Sequence, residues 1–128
     1  MANLQVLRLD RESVPLAKAV IHNGVAYVSG QAALNTETRE ATSPDIREQT
    51  RETLRRIDTI LEQAGTSKDK LLMVRVYLTD VRNDFAAMNE VYGRHFGDHK
   101  PARSTVQAAR LPRDVAVEIE AVAVVRGR

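Results

Sequence analysis

The sequence predicts an α+β fold, with two helices packed on one face of a single six-stranded sheet. Three observations carry this: six short stretches with strand-like patterning, two longer stretches with apolar residues at helical spacing, and their order along the chain, βββαβαββ.

The elements follow in order. NLQVLRL (3–9) nearly alternates apolar and polar residues and reads as the first strand. Residues 17–22 and 25–29 are the next two strands, joined at Asn23-Gly24, because both turn residues accept the positive φ of a tight hairpin. A long helix comes next. Ser43 is placed to cap it, and Pro44 suits its first position, where a missing N–H costs nothing. Ile46, Leu54, Ile57 and Leu61 recur on one face, and Gly65 ends the segment. The opposite face, with Arg47, Glu48, Arg51, Glu52, Arg55 and Glu62, reads as solvated charge.

KLLMVRVYLTD (70–80) is a strand with Val74, Val76 and Leu78 on one face and Arg75 and Tyr77 on the other. Asn83 or Asp84 is placed to cap a second helix, whose buried stripe is Phe85, Met88, Tyr92 and Phe96 and whose end is Gly97. ARSTVQAARL (102–111) and VAVEIEAVAVV (115–125) complete the sheet on either side of Leu111-Pro112-Arg113-Asp114.

The 128 residues suit one domain, 1–128, and the 43% hydrophobic content is enough for a core. Aromatics are only 4%, so Val, Ala, Ile and Leu must build that core. Nineteen basic against seventeen acidic residues leave a net charge of +2, without a run of like charge. Nucleic acid is therefore disfavoured as a partner, and so is a membrane surface. The absence of cysteine excludes disulfides, thiolate catalysis and Cys-based metal sites. MANLQVLRLDRESVP lacks the apolar stretch of a signal peptide, and the apolar runs elsewhere are too short to span a bilayer, so a cytoplasmic enzyme or binding protein is expected. His22, His95 and His99 lack metal-ligand spacing and read as surface or capping residues.

Candidate chemistry concentrates in the last two strands. If the turn 111–114 closes a simple hairpin, Arg110 lies opposite Val115, Gln107 opposite Glu118 and Thr105 opposite Glu120. Gln107, Glu118, Thr105 and Glu120 then share a face with Arg103, while Val106, Ala108, Val115, Val117, Ile119, Ala121 and Ala123 form the core face. In one reading Arg103 grips a substrate carboxylate, and Glu118 or Glu120 holds a water or acts as general acid/base. In the other, which spacing alone favours, the same residues are cross-strand ion pairs on a solvated face. The pattern gives a candidate site without naming a reaction.

PARSTVQAARLPRDVAVEIEAVAV (101–124) resembles the signature segment of the YjgF/Rid family, and VSGQ (28–31) and NDFAAMNEVYGRHF (83–96) agree with it. The resemblance implies a chorismate-mutase-like fold and a homotrimer whose sheets form a central barrel, with ligand sites in clefts between subunits. It also implies hydrolysis of enamines or imines, such as 2-aminoacrylate or 2-iminobutanoate, to 2-keto acids and ammonia, without metal or organic cofactor. By that resemblance Arg103 clamps the substrate carboxylate, Glu118 positions the attacking water, and Ser29 and Gly30 line the cleft. Thr105 stands where many members have Cys, although its backbone could still contact ligand. Val14-Pro15-Leu16 replaces a Gly-Pro-Tyr, so the tyrosine that commonly closes the cleft is missing. These departures imply a weaker rate or a different imine. Two other readings are an endoribonuclease or translation inhibitor, and a non-catalytic trimer that binds 2-keto acids or partners.

Overall fold

The computed structural model describes residues 4–9 and 14–125. Asn3, at the start of the predicted first strand, lies outside them, as does much of the segment read as lacking a signal peptide. The chain forms β1 (Gln5–Arg8), β2 (Ala17–His22), β3 (Val25–Gln31), α1 (Ile46–Gln63), β4 (Leu71–Leu78), α2 (Val81–Phe96), β5 (Ala102–Gln107) and β6 (Val117–Val124). This is the predicted βββαβαββ order. No helix among the described residues is long and apolar enough to cross a membrane.

Asn23 (φ 52°) and Gly24 (φ 76°) make the turn between β2 and β3, both in the left-handed region a two-residue hairpin requires. The start of α1 differs from expectation. Asp45, not Ser43, is the cap: its carboxylate accepts from Arg47 N at 2.9 Å, while Ser43 Oγ accepts from Asp45 N. Pro44 therefore precedes the cap. The helix ends as predicted, with Gly65 (φ 86°) receiving a Schellman closure, Thr66 N to Leu61 O and Gly65 N to Glu62 O. The second helix also starts earlier than expected, because Asp80 reaches Asn83 N before Asn83 or Asp84 can serve as cap.

The sheet order is β1-β2-β3-β6-β4-β5, and here the structure corrects the largest sequence-based expectation. β5 and β6 are not a hairpin. β4 lies between them, parallel to β5 and antiparallel to β6. The physical reason is the helix that precedes β5. A strand–helix–strand unit returns its second strand parallel to the first, so α2 sends β5 to the outer edge of β4. The chain then crosses the end of β4, with Ala108 N bonded to Leu78 O and Thr79 N to Ala116 O, and enters the gap between β3 and β4 as β6. Leu111-Pro112-Arg113-Asp114 turns this crossing, with Arg113 and Asp114 both at positive φ.

Both helices pack on one sheet face. Leu54, Ile57 and Leu61 of α1, with Met88, Tyr92 and Phe96 of α2, meet Val74, Val76 and Leu78 of β4 and Val117, Ile119, Ala121 and Ala123 of β6. Among the expected core residues, Phe85 is 37% exposed, Val106 on edge strand β5 is 48% exposed, and Ala108, just beyond β5, is only partly buried. Val91 joins Met88, Tyr92 and Phe96 in the buried stripe of α2. Buried Gln49, not singled out by periodicity, accepts from Ala116 N (2.9 Å) and donates to Ser43 O (2.8 Å), fixing the entrance to β6 against α1.

The charged face of α1 is solvated but organised. Arg47 reaches Glu90 of α2 at 2.7 Å, and Arg56 donates to Ala32 O (2.8 Å) and Leu34 O (2.6 Å), holding the segment that leaves β3. Because Leu61 is fully buried between the helices and the sheet, Leu61→Ala is expected to lower unfolding free energy by about 2–5 kcal/mol. Urea denaturation measures this, and a loss below about 1 kcal/mol would contradict the packing described.

Candidate functional site

The strand period of two decides where each predicted site residue points. On β6, Val117, Ile119 and Ala121 are buried beneath the helices, so Glu118 and Glu120 project from the opposite face. Their β4 partners Tyr77 and Arg75 project with them. On β5, Arg103 pairs in register with buried Val74 and faces the helices. Its guanidinium lies 4.6 Å from the ring centroid of Tyr92 and 5.7 Å from that of Phe85, both on α2. Gln107 faces the same way, its Oε1 accepting from Val81 N at the start of α2.

The shared patch expected of Arg103, Thr105, Gln107, Glu118 and Glu120 is therefore divided between two faces. Through Val74, Arg103 aligns with Ala121, three residues along β6 from Glu118. Two strand spacings across and three residues along put their Cα atoms roughly 14 Å apart. A single small substrate cannot touch both within one chain.

Alternation treats the two glutamates alike, but their surroundings do not. Glu120 accepts from Arg75 (2.9 Å) and from the Tyr77 hydroxyl (3.2 Å), so its carboxylate is committed. Glu118 has no hydrogen-bond or ion-pair partner among the described residues. Burial, and then the charge of Glu120 on the same face, push its carboxyl pKa above the ordinary value. A partly buried, unpaired carboxyl group with raised proton affinity is suited to hold a water and take a proton from it.

Ser29 and Gly30 stand beside it. The β3–β6 register shifts between Val28 and Gln31, and this bulge brings the Gly30 backbone against the Glu118 side chain. A Cβ on Gly30 would overlap Glu118 Oε2 and lie 3.0 Å from Cδ, so any larger residue here would displace the Glu118 carboxylate. Ser29 Oγ donates to Ala17 O at 2.6 Å, tying the bulge to β2. Thr105 lies two residues from Arg103 on the helix-side face, its hydroxyl buried without a protein partner among the described residues.

The structure thus separates the predicted site residues into two groups, Ser29, Gly30 and Glu118 on one face and Arg103 and Thr105 on the other. Sequence reasoning missed Tyr92 and Phe85 as neighbours of Arg103, having assigned both to the core. It also missed the partners that distinguish Glu120 from Glu118, although Arg75 and Tyr77 had been placed together opposite Val74 and Val76. Two of the three histidines lie against groups elsewhere: His95 Nε2 is 3.0 Å from Asp58 Oδ2, and His99 Nε2 is 2.9 Å from Leu71 O. An open groove of about 670 Å³ lined by Arg39, Ser43, Gln49, Arg113 and Asp114 includes none of the predicted site residues.

Comparison with known proteins adds independent findings. The family model described as Endoribonuclease L-PSP matches residues 11–125. A RutC family protein of Pyrococcus abyssi is 46% identical over 109 residues, 85% of each chain. TdcF of Escherichia coli, provisionally named a reactive intermediate deaminase, is 40% identical over 113 residues, 86% of each chain. The solved structure of TdcF with bound serine superposes with a TM-score of 0.80 at 37% identity, covering 93% of this chain and 92% of that one. The Rid family protein YyfA of Yersinia pestis superposes at 0.87 with 37% identity, covering 96% and 100%.

The raised pKa of Glu118 carries a stability consequence. Between its unfolded and its higher folded pKa the native state binds more protons, so stability falls as pH rises through that window. Glu118→Gln is therefore expected to stabilise the fold at pH 7, with the gain vanishing below about pH 4, under the unfolded value. Urea titrations across pH measure it; a stabilisation that persisted at pH 3 would have another origin.

Proposed function

The chain belongs to the Endoribonuclease L-PSP family, the YjgF/Rid proteins, and we propose that it hydrolyses reactive enamine and imine intermediates to 2-keto acids and ammonia. The observation that carries this reading is the contrast between Glu118, unpaired and raised in pKa, and Glu120, committed to Arg75 and Tyr77. One carboxyl group is thereby reserved for chemistry.

In the proposed reaction Arg103 grips the substrate carboxylate through paired N–H donors. An enamine such as 2-aminoacrylate first tautomerises to its imine. Glu118 accepts a proton from a bound water as the water oxygen bonds to the C=N carbon, and the C=N electron pair moves to nitrogen, which receives that proton from Glu118. The resulting carbinolamine loses ammonia as the C–N bond breaks and the C=O bond forms. An imine carbon is already electrophilic, so orientation and a held water supply most of what the step needs. Ser29 and Gly30 line the Glu118 side of the pocket, and Thr105 the Arg103 side. The reading invokes no cofactor.

The division of the site between two faces supports a second part of the proposal. Arg103 of one copy meets Glu118 of another, in a homotrimer with clefts between subunits and one domain, 1–128, per copy. The sheet face away from the helices exposes Tyr27 and leaves Glu118 and Tyr77 only partly covered, which suits burial against neighbouring copies. The endoribonuclease reading ranks second, because His95 and His99 are occupied at Asp58 and Leu71 O rather than placed beside Glu118. An RNA-degrading, salt-sensitive activity that survives Arg103→Ala would favour it.

Imines generated in situ from several amino acids with an L-amino-acid oxidase test the chemistry, with release of 2-keto acid followed over time. The unaltered protein is expected to accelerate release; Arg103→Ala and Glu118→Gln should each lose roughly a hundredfold or more, and Glu120→Gln much less. No acceleration with any imine by folded protein would leave a non-catalytic binding role as the better reading.

Sharing of the site is tested separately. Co-expressed Arg103→Ala and Glu118→Gln chains, inactive alone, should regain part of the activity in mixed oligomers, where some clefts combine an intact Arg103 with an intact Glu118. Mixed oligomers as inactive as either parent would place both residues in one chain's site.

A further inference from the structure

Arg103 is held in an unusual way for an arginine at a partly buried position. Among the described residues no carboxylate pairs with it and no carbonyl accepts from it, whereas Arg75, Arg94 and Arg110 each have an acidic partner within 3.0 Å. Its neighbours are two ring faces on α2. Tyr92 lies 4.6 Å beneath the guanidinium and Phe85, two helical turns earlier, 5.7 Å away. Both distances are within the range over which the negative face of an aromatic ring attracts a cation.

Tyr92 is held in the core by its ring, its hydroxyl being buried without a protein partner among the described residues. It is 93% buried by its 7% exposure, it packs against Phe96 with ring centroids 4.6 Å apart, and Phe96 in turn meets the edge of His95. Arg103 therefore rests on a stack anchored in the core. An acid in place of that ring would hold the guanidinium too, but would occupy its in-plane N–H donors and neutralise its charge. A ring face attracts the cation from below the plane and leaves the donors at the rim free.

We propose that Tyr92, through its ring face and with Phe85 beside it, is the positioning residue for Arg103, keeping the guanidinium oriented and its donors open for the carboxylate of a 2-oxo acid or its imine. This rests on the reading of Arg103 as the carboxylate clamp. It predicts that the ring's electron density matters, as well as its volume, which a merely structural Tyr92 would not require.

Calorimetric binding of 2-oxobutanoate to the full chain tests it, comparing the unaltered protein, Arg103→Ala, Tyr92→Phe, and Tyr92→Phe carrying one, two or three ring fluorines. Fluorination withdraws charge from the ring face while keeping its shape, so the variants should fold alike. Tyr92→Phe should bind within about twofold of the unaltered chain, and affinity should then fall stepwise with fluorine number, by about tenfold at three. A flat fluorine series, with binding still lost in Arg103→Ala, would leave the clamp standing and overturn the role given to Tyr92. Binding absent from the unaltered chain, or untouched by Arg103→Ala, would remove the clamp itself and the positioning role with it.

Discussion

The two-residue period of the β-strand is the constraint on which the rest of this molecule depends. Once Val117, Ile119, Ala121 and Ala123 are committed to the helix side, Glu118 and Glu120 must emerge on the other. Once α2 returns the chain parallel to β4, Arg103 must join the helix side and cannot share a face with Glu118. The core therefore fixes the geometry of the chemistry. A one-residue slip of β6 would bury two carboxylates and expose its four apolar residues, so register and site are protected by the same hydrophobic burial.

The sequence revealed the local structure more fully than the topology. Asn23-Gly24 and Gly65 were legible because only a few residues tolerate positive φ, so their positions carry a direct mechanical meaning. The helix starts were less legible: Ser43, Asp45, Asp80, Asn83 and Asp84 can all accept from a backbone N–H, and tertiary packing decides among them. The last two strands misled because a short connection between strands suggests a hairpin. The contrary signal was present, since strand, helix and strand in succession (71–107) form a unit that favours parallel pairing. The family resemblance singled out Arg103, Glu118, Ser29 and Gly30. It did not reveal that one chain keeps Arg103 apart from the other three, because a signature segment records identity along the chain and says nothing of faces.

The ionised side chains divide by whether they have a partner. Glu52 is held at a pKa of about 2, chiefly by its hydrogen bond to Arg55, which outweighs the opposing effect of burial, with Arg56 adding to it. That group serves structure, because Arg56 also ties α1 to the segment leaving β3. Glu118 has no cation beside it among the described residues, and burial together with Glu120 moves its pKa the other way. Gly30 completes this arrangement by making room for the carboxylate without adding a donor side chain.

The same logic separates Arg103 from the ordinary arginines of the surface. Arg51, Arg55 and Arg94 are paired along their own helices, where exposed pairs contribute little individually. Arg103 instead has ring faces that hold it without consuming its donors. Arg103 and Glu118 are thus both left without an ion-pair partner among the described residues, on opposite faces of one sheet. Unpaired polar groups at partly buried positions carry a cost in a folded protein. Here that cost falls on residues that, under the proposed assembly and with a bound 2-oxo acid, would meet the partners that relieve it.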